Sequence, residues 1–165
     1  MNRRHVRQGV VLAVLVALIG VGVSGVAASA AQDAGDQVYR NVPSDRLEGI
    51  LRGMNIVFTK VPGKMEGVNF YDFDRGGFKI RLHNYNGKDL WIDALFNDRT
   101  TLEKINGWNR RAKFSRAVLI SSGGKETISL ESQMDCLGGV TDNIIRQFIN
   151  RFDGEIRDFV KYHSN

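Results

Sequence analysis

Cysteine is almost missing from this 165-residue chain: Cys136 stands alone, so no intramolecular disulfide can form and stability has to come from a packed core. A buried thiol acting as a small hydrophobe is the reading for it. Histidine is nearly as scarce. His5 lies at the N-terminus, His83 on the polar face of a strand-like stretch and His163 near the C-terminus, and none has a Cys, Asp or Glu at metal-ligand spacing. No metal or cofactor is therefore expected, nor a catalytic residue, since Cys136 with His83 is the one nucleophile–base pairing and needs a contact the sequence does not show.

An excess of one charge is also lacking, although the net charge of +5 first suggests otherwise. Arg3, Arg4 and Arg7 belong to an N-terminal segment expected to be removed; without them 20 basic residues face 18 acidic ones. Basicity spread that thinly offers no concentrated patch for a polyanion, so nucleic acid is not an expected partner. The length suits one domain, and 42% hydrophobic with 25% charged residues is an ordinary globular balance. There is no internal repeat and no low-complexity tract.

What is present begins with an export signal. Three arginines without an acid precede the apolar run Val10 to Ile19, and small residues follow from Gly20 to Ala31. Ala28-Ser29-Ala30 supplies the cleavage pattern, placing the cut between Ala30 and Ala31; Ser29-Ala30-Ala31 is a legal site one residue on. Residues 1–30 are thus read as a signal peptide of the general secretory route, and the protein as periplasmic or secreted. The alternative is an uncleaved anchor in the inner membrane facing the periplasm, the membrane being touched only through that segment. The absence of a cysteine after the run excludes a lipoprotein.

Residues 31–42 read as a flexible lead-in to a domain over 43–163. Pro43 and Ser44 open a helix whose Leu47, Ile50, Leu51 and Met54 share a face. From Ile56 the period drops to two, with strands expected at Ile56–Phe58, around Val68–Tyr71, at Phe78–Leu82 and at Leu90–Phe96. Asp74-Arg75-Gly76-Gly77 and Asn86-Gly87 are hairpin turns, which implies an antiparallel sheet. A second helix, about Thr101 to Ala112, carries Leu102, Ile105, Asn109 and Ala112 on one stripe with Trp108 beside it. The strand from Phe114 to Ile120 is apolar on both sides apart from Ser115 and Arg116, which predicts a central place in the sheet; Thr127–Glu131 follows. The last helix has the clearest stripe, Ile144 to Val160, capped by Thr141. The fold class is α+β, with helices packed on an antiparallel sheet of about five strands.

Candidate sites are few. Asp72-Phe73-Asp74-Arg75-Gly76-Gly77 resembles the start of a calcium loop, but the twelfth position is His83, not Glu, so it reads as a turn. Trp108, Arg110, Arg111, Lys113 and Arg116 form the densest basic and aromatic cluster, and the local periods scatter them over different faces. Gly138-Gly139 reads as a turn into the last helix.

Ile105-Asn106-Gly107-Trp108-Asn109-Arg110, then Lys113-Phe114-Ser115-Arg116-Ala117, and downstream Leu130-Glu131 and Gly138-Gly139-Val140-Thr141, resemble the signature of the YbjN family of bacterial sensory transduction regulators. The resemblance implies a fold similar to type III secretion chaperones and a regulator or chaperone-like binding module, not an enzyme. It implies structural roles for Ile105, Asn106, Trp108, Asn109, Arg110, Phe114, Arg116, Gly138 and Gly139: Trp108 filling the helix–sheet interface, Asn109 satisfying backbone groups, Arg110 pairing with an acid. Many members carry two cysteines where the middle strands turn; this chain has Asn84 to Asp89 there, and no redox or metal role carries over. The functional expectation is an exported non-enzymatic module that holds a protein or peptide partner. An enzyme using Asp72, Asp93 and His83, and a structural homodimer, are the alternatives.

Overall fold

Alternating apolar residues drive the middle of the chain into strands, and the computed structural model, which describes residues 37–164, joins six of them in one sheet. In chain order the elements are α1 (Ser44–Gly53), β1 (Phe58–Pro62), β2 (Val68–Arg75), β3 (Phe78–Tyr85), β4 (Asp89–Phe96), α2 (Leu102–Arg111), β5 (Arg116–Ser122), β6 (Lys125–Asp135) and α3 (Asp142–Ser164). The strand order is β1-β2-β3-β4-β6-β5 and every pairing is antiparallel. The α+β architecture is the one the sequence implies, with six strands where about five were expected. The signal segment expected over residues 1–30, the cleavage expected between Ala30 and Ala31 and the first part of the expected lead-in lie outside the described residues.

Tight turns set the register. Asn86 and Gly87 take φ of 55° and 73°, a left-handed pair in the three-residue loop between Tyr85 and Asp89, the closing pair of β3 and β4, where the Lys88 N–H donates to the Tyr85 carbonyl. Leu82 then faces Tyr71 on one side and Ile92 on the other.

The three helices of the described residues pack on a single face. From the sheet, Tyr71, Phe73, Leu82, Ile92, Ile128 and Leu130 point into the core; Leu47, Ile50 and Leu51 of α1, Trp108 of α2 and Ile145 to Phe159 of α3 meet them. Thr101 caps α2 by accepting from the Lys104 N–H at 3.2 Å. Thr141 does the same for Ile144 at 3.3 Å. The α3 stripe is buried at Ile145, Phe148, Ile149, Phe152, Ile156 and Phe159, while Ile144 is exposed.

Four local expectations are corrected. Ile56 and Val57 do not belong to the first strand: the Ile56 N–H closes α1 onto the Leu51 carbonyl, and β1 starts at Phe58. The strand after α2 is not central but lies at the sheet edge, so its outward Val118 and Ile120 stay exposed; the interior neighbour is β6, buried on both faces from Ile128 to Ser132. On α2 it is Ile105 and Trp108 that are buried, whereas Leu102 and Asn109 face out. The end of the lead-in is pinned, because Tyr39 bridges Val140 and Val42 is fully buried.

Candidate functional site

Among the described residues the opposite face of the sheet carries no helix, and its chemistry follows from register. Residues of one parity on each strand point away from the core, and pairing lines them up in rows across the strands. One row reads Thr59, Asp72, Arg81, Asp93, Glu131, Arg116 and runs from edge to edge. The next reads Val61, Phe70, His83, Trp91, Gln133. A third brings Tyr85 beside Asp89 and Asp89 opposite Asp135.

The charged row is tightly paired. Arg81 donates from Nε and Nη2 to the two carboxylate oxygens of Asp72 at 2.6 and 2.7 Å. That two-pronged hydrogen bond holds the Asp72 carboxyl below its usual pKa and raises the Arg81 guanidinium. Asp93 and Glu131 stand directly opposite each other, a like-charge arrangement that is unfavourable alone. Each carboxylate has its own neighbour: His83 Nε2 lies 2.5 Å from Asp93 Oδ1, and Arg116 Nε donates to Glu131 Oε1 at 2.7 Å.

Beside this row lies an aromatic platform. The His83, Tyr85 and Trp91 rings have centroids 5.2 to 6.4 Å apart with planes within 27° of one another. Three nearly parallel rings at the corners of a triangle cannot form one column; they tile the sheet surface. Phe70 meets His83 edge-on at 5.0 Å, and the Arg81 guanidinium lies over Phe70. Burial, with Asp93 adding to it, pushes the Tyr85 hydroxyl above its usual pKa. Next to the charged row is an open depression of about 520 Å³, bordered by Thr59, Asp72, Arg81, Asp93 and Leu95.

Asp72, Asp93 and His83 are therefore gathered on one surface. Their groups are engaged with neighbours, however. Asp72 is occupied by Arg81, Asp93 by His83, and the second His83 nitrogen faces the Tyr85 hydroxyl at 3.4 Å. Among the described residues no group of three or more His, Cys, Asp or Glu is placed to hold a metal ion.

Most of the motif residues lie elsewhere, in the layer of helices and at the β5 edge. Ile105 and Trp108 are buried, and the Trp108 ring meets Phe159 edge-on at 5.2 Å and Tyr162 at 5.7 Å. Gly107 sits under the Tyr162 hydroxyl, which donates to the Lys104 carbonyl at 3.1 Å. Asn106 is exposed. Asn109 grips the β5 backbone: its Nδ2 donates to the Ala117 carbonyl at 3.0 Å and its Oδ1 accepts the Ala117 N–H at 2.8 Å. Arg110 forms no ion pair among the described residues; Arg111 instead lies over the Tyr162 ring. Phe114 packs edge-on to Phe148 under the Arg151 guanidinium. Gly138 and Gly139 turn the chain into α3, the Gly139 N–H donating to the Cys136 carbonyl. Arg116 alone reaches the charged row.

Sequence reasoning grouped Asp72, Asp93 and His83 but missed the rows they belong to and the Arg81, Tyr85 and Trp91 beside them. The signal was half visible in the alternation Lys79, Arg81, His83, Tyr85 and in Trp91, Asp93; strand order and register, which alone put them side by side, are not written in any one segment.

No protein-family model matches the sequence, and comparison with curated proteins gave no match. Among solved structures, the chain resembles the crystal structure of "YbjN, a putative transcription regulator from E. coli", with a TM-score of 0.57 and 12% identity over 70% of this chain and 87% of that one. At that identity the likeness shows a shared fold.

Proposed function

We propose that this chain is an exported, non-enzymatic module of the bacterial envelope that holds a protein or peptide partner on the uncovered face of its sheet. The observation that carries the reading is the aromatic platform of His83, Tyr85 and Trp91 set beside a charged row, with every helix of the described residues on the other side. Half-buried rings with polar tips suit a binding surface, giving apolar contact without breaking solubility. The export segment supports the location, and the fold shared with YbjN is compatible with a binding or regulatory role. Both His83 nitrogens are engaged by neighbours, Asp93 and the Tyr85 hydroxyl, which argues against His83 serving as a general base.

The reading is tested by affinity capture from envelope extracts with the chain purified from cells that export it, beside a Trp91→Ala variant of unchanged circular dichroism. A partner retained by the first and lost by the second, at several salt concentrations, is the expected result. Equal retention by both, or no partner above background, overturns it. Cell fractionation tests the location: recovery in the cytoplasm with residues 1–30 intact contradicts export.

A further inference from the structure

The two edges of the sheet are built differently. β1 carries Lys60 and Pro62, a charge and a residue without an N–H, both of which obstruct pairing with another strand. From Ala117 to Gly124 the β5 edge has no charge and no proline, and its outward Val118 and Ile120 are 36% and 44% exposed.

The direction of the β5 backbone groups follows from two independent features. Asn109 holds both the N–H and the C=O of Ala117, so Ala117 points away from β6. The Gly123–Gly124 turn makes Ser122 and Lys125 the closing pair of a two-residue hairpin, which directs Ser122 toward β6. By alternation Leu119 and Ser121 also face away from β6, and no hydrogen bond from either to another element exists among the described residues. The Asn109 side chain thus ends the open edge at Ala117, leaving those two residues free.

We infer that this edge pairs with the same edge of a second copy, in the register that Asn109 leaves open. Leu119 lies opposite Ser121 of the second copy and Ser121 opposite its Leu119, each pair exchanging both its N–H···O=C bonds. Ile120 then meets its own counterpart on the two-fold axis, on the face away from the helices. Such an isologous contact is self-complementary, apolar on apolar, and closes after one copy. A free peptide fits less well: with two pairing residues it gains few backbone bonds while losing the freedom of every residue it orders, whereas β5 of a second copy is already a strand.

The test is sedimentation and cross-linking of the full chain purified from cells. Ser121→Pro removes an N–H that points to the open edge and spares the bonds to β6. Ile120→Cys places two sulfurs on the axis, where facing Cα atoms about 4.5 Å apart allow a disulfide; Val118→Cys does not face itself. Cys136 is buried and stays out of the reaction. The native chain sediments at twice the monomer mass and dissociates on dilution, Ser121→Pro sediments as a monomer with unchanged circular dichroism, and Ile120→Cys but not Val118→Cys oxidises to a covalent dimer. A native chain that stays monomeric at its highest soluble concentration overturns the inference. So does a dimer indifferent to Ser121→Pro, or a monomer in which Ser121→Pro abolishes capture of another protein. None of these outcomes involves Trp91, so the reading of the uncovered face is judged separately.

Discussion

Asn109 shows how one side chain can stand in for a strand. Its amide meets the Ala117 N–H and C=O as a neighbouring peptide group would, so Asn109→Ala leaves two backbone groups without their partner. The expected loss is about 1–3 kcal/mol in urea unfolding; Asn109→Asp, which keeps the acceptor and loses the donor, falls between. Its neighbour Trp108 was legible from the motif and from the stripe it borders, because both report burial. The Asn109 contact was legible only as a type of role, since the backbone it serves lies on another element.

Cys136 is fully buried, and burial together with Asp89 and Asp135 pushes its thiol pKa up to about 11. At pH 8 it therefore reacts with a disulfide reagent only after denaturant is added. Rapid stoichiometric labelling of the native protein contradicts this placement. Asp72 makes the opposite case. Its folded pKa lies below the unfolded value, so its pairing with Arg81 stabilises fully above about pH 4–5 and is lost as the pH falls through the depressed pKa. Both side chains are more than a third exposed, which limits the pair to less than about 1 kcal/mol. The stability difference between the native chain and Asp72→Asn is expected to be constant from pH 8 to about 5, shrink below about pH 4 and fall in high salt.

Among the elements, hairpins and helices were the most readable and edges the least. Asn86-Gly87 announces its turn because few other residue pairs accept two positive φ values. Gly87→Ala is expected to cost about 1–2 kcal/mol from the left-handed backbone alone, and more because an added methyl meets Asn41 and the Val42 backbone. A thermal unfolding curve that does not move contradicts this. The β5 strand misleads for a physical reason: apolar residues on both faces of a strand ordinarily mean burial on both, but here the outward pair is left open at an edge. β6, with Ser129, Glu131 and Ser132 among its buried residues, looks more polar than β5 and yet lies inside. Its position is set by the crossover through α2, which no local pattern records.

At the scale of the domain, the described residues form two faces of different make-up. Helices and motif residues build one face around a continuous core. The other, without a helix among the described residues, is a sheet surface on which register gathers Asp72, Arg81, His83, Tyr85, Trp91 and Asp93, drawn from three strands and 22 positions of sequence. The helical face was largely foreseeable, since period and stripe are local properties. The uncovered face was foreseeable only in its grouping of Asp72, Asp93 and His83, because adjacency across strands is a property of the assembled sheet. The proposed function requires a partner to sit on that face. In-cell photocross-linking reads this most directly, with a benzophenone side chain at position 91 or, on the exposed side of α3, at position 147. Adducts with another protein at position 91 and none at 147 are the result the account predicts. Adducts at 147 without any at 91, or equal yields at both, would contradict it.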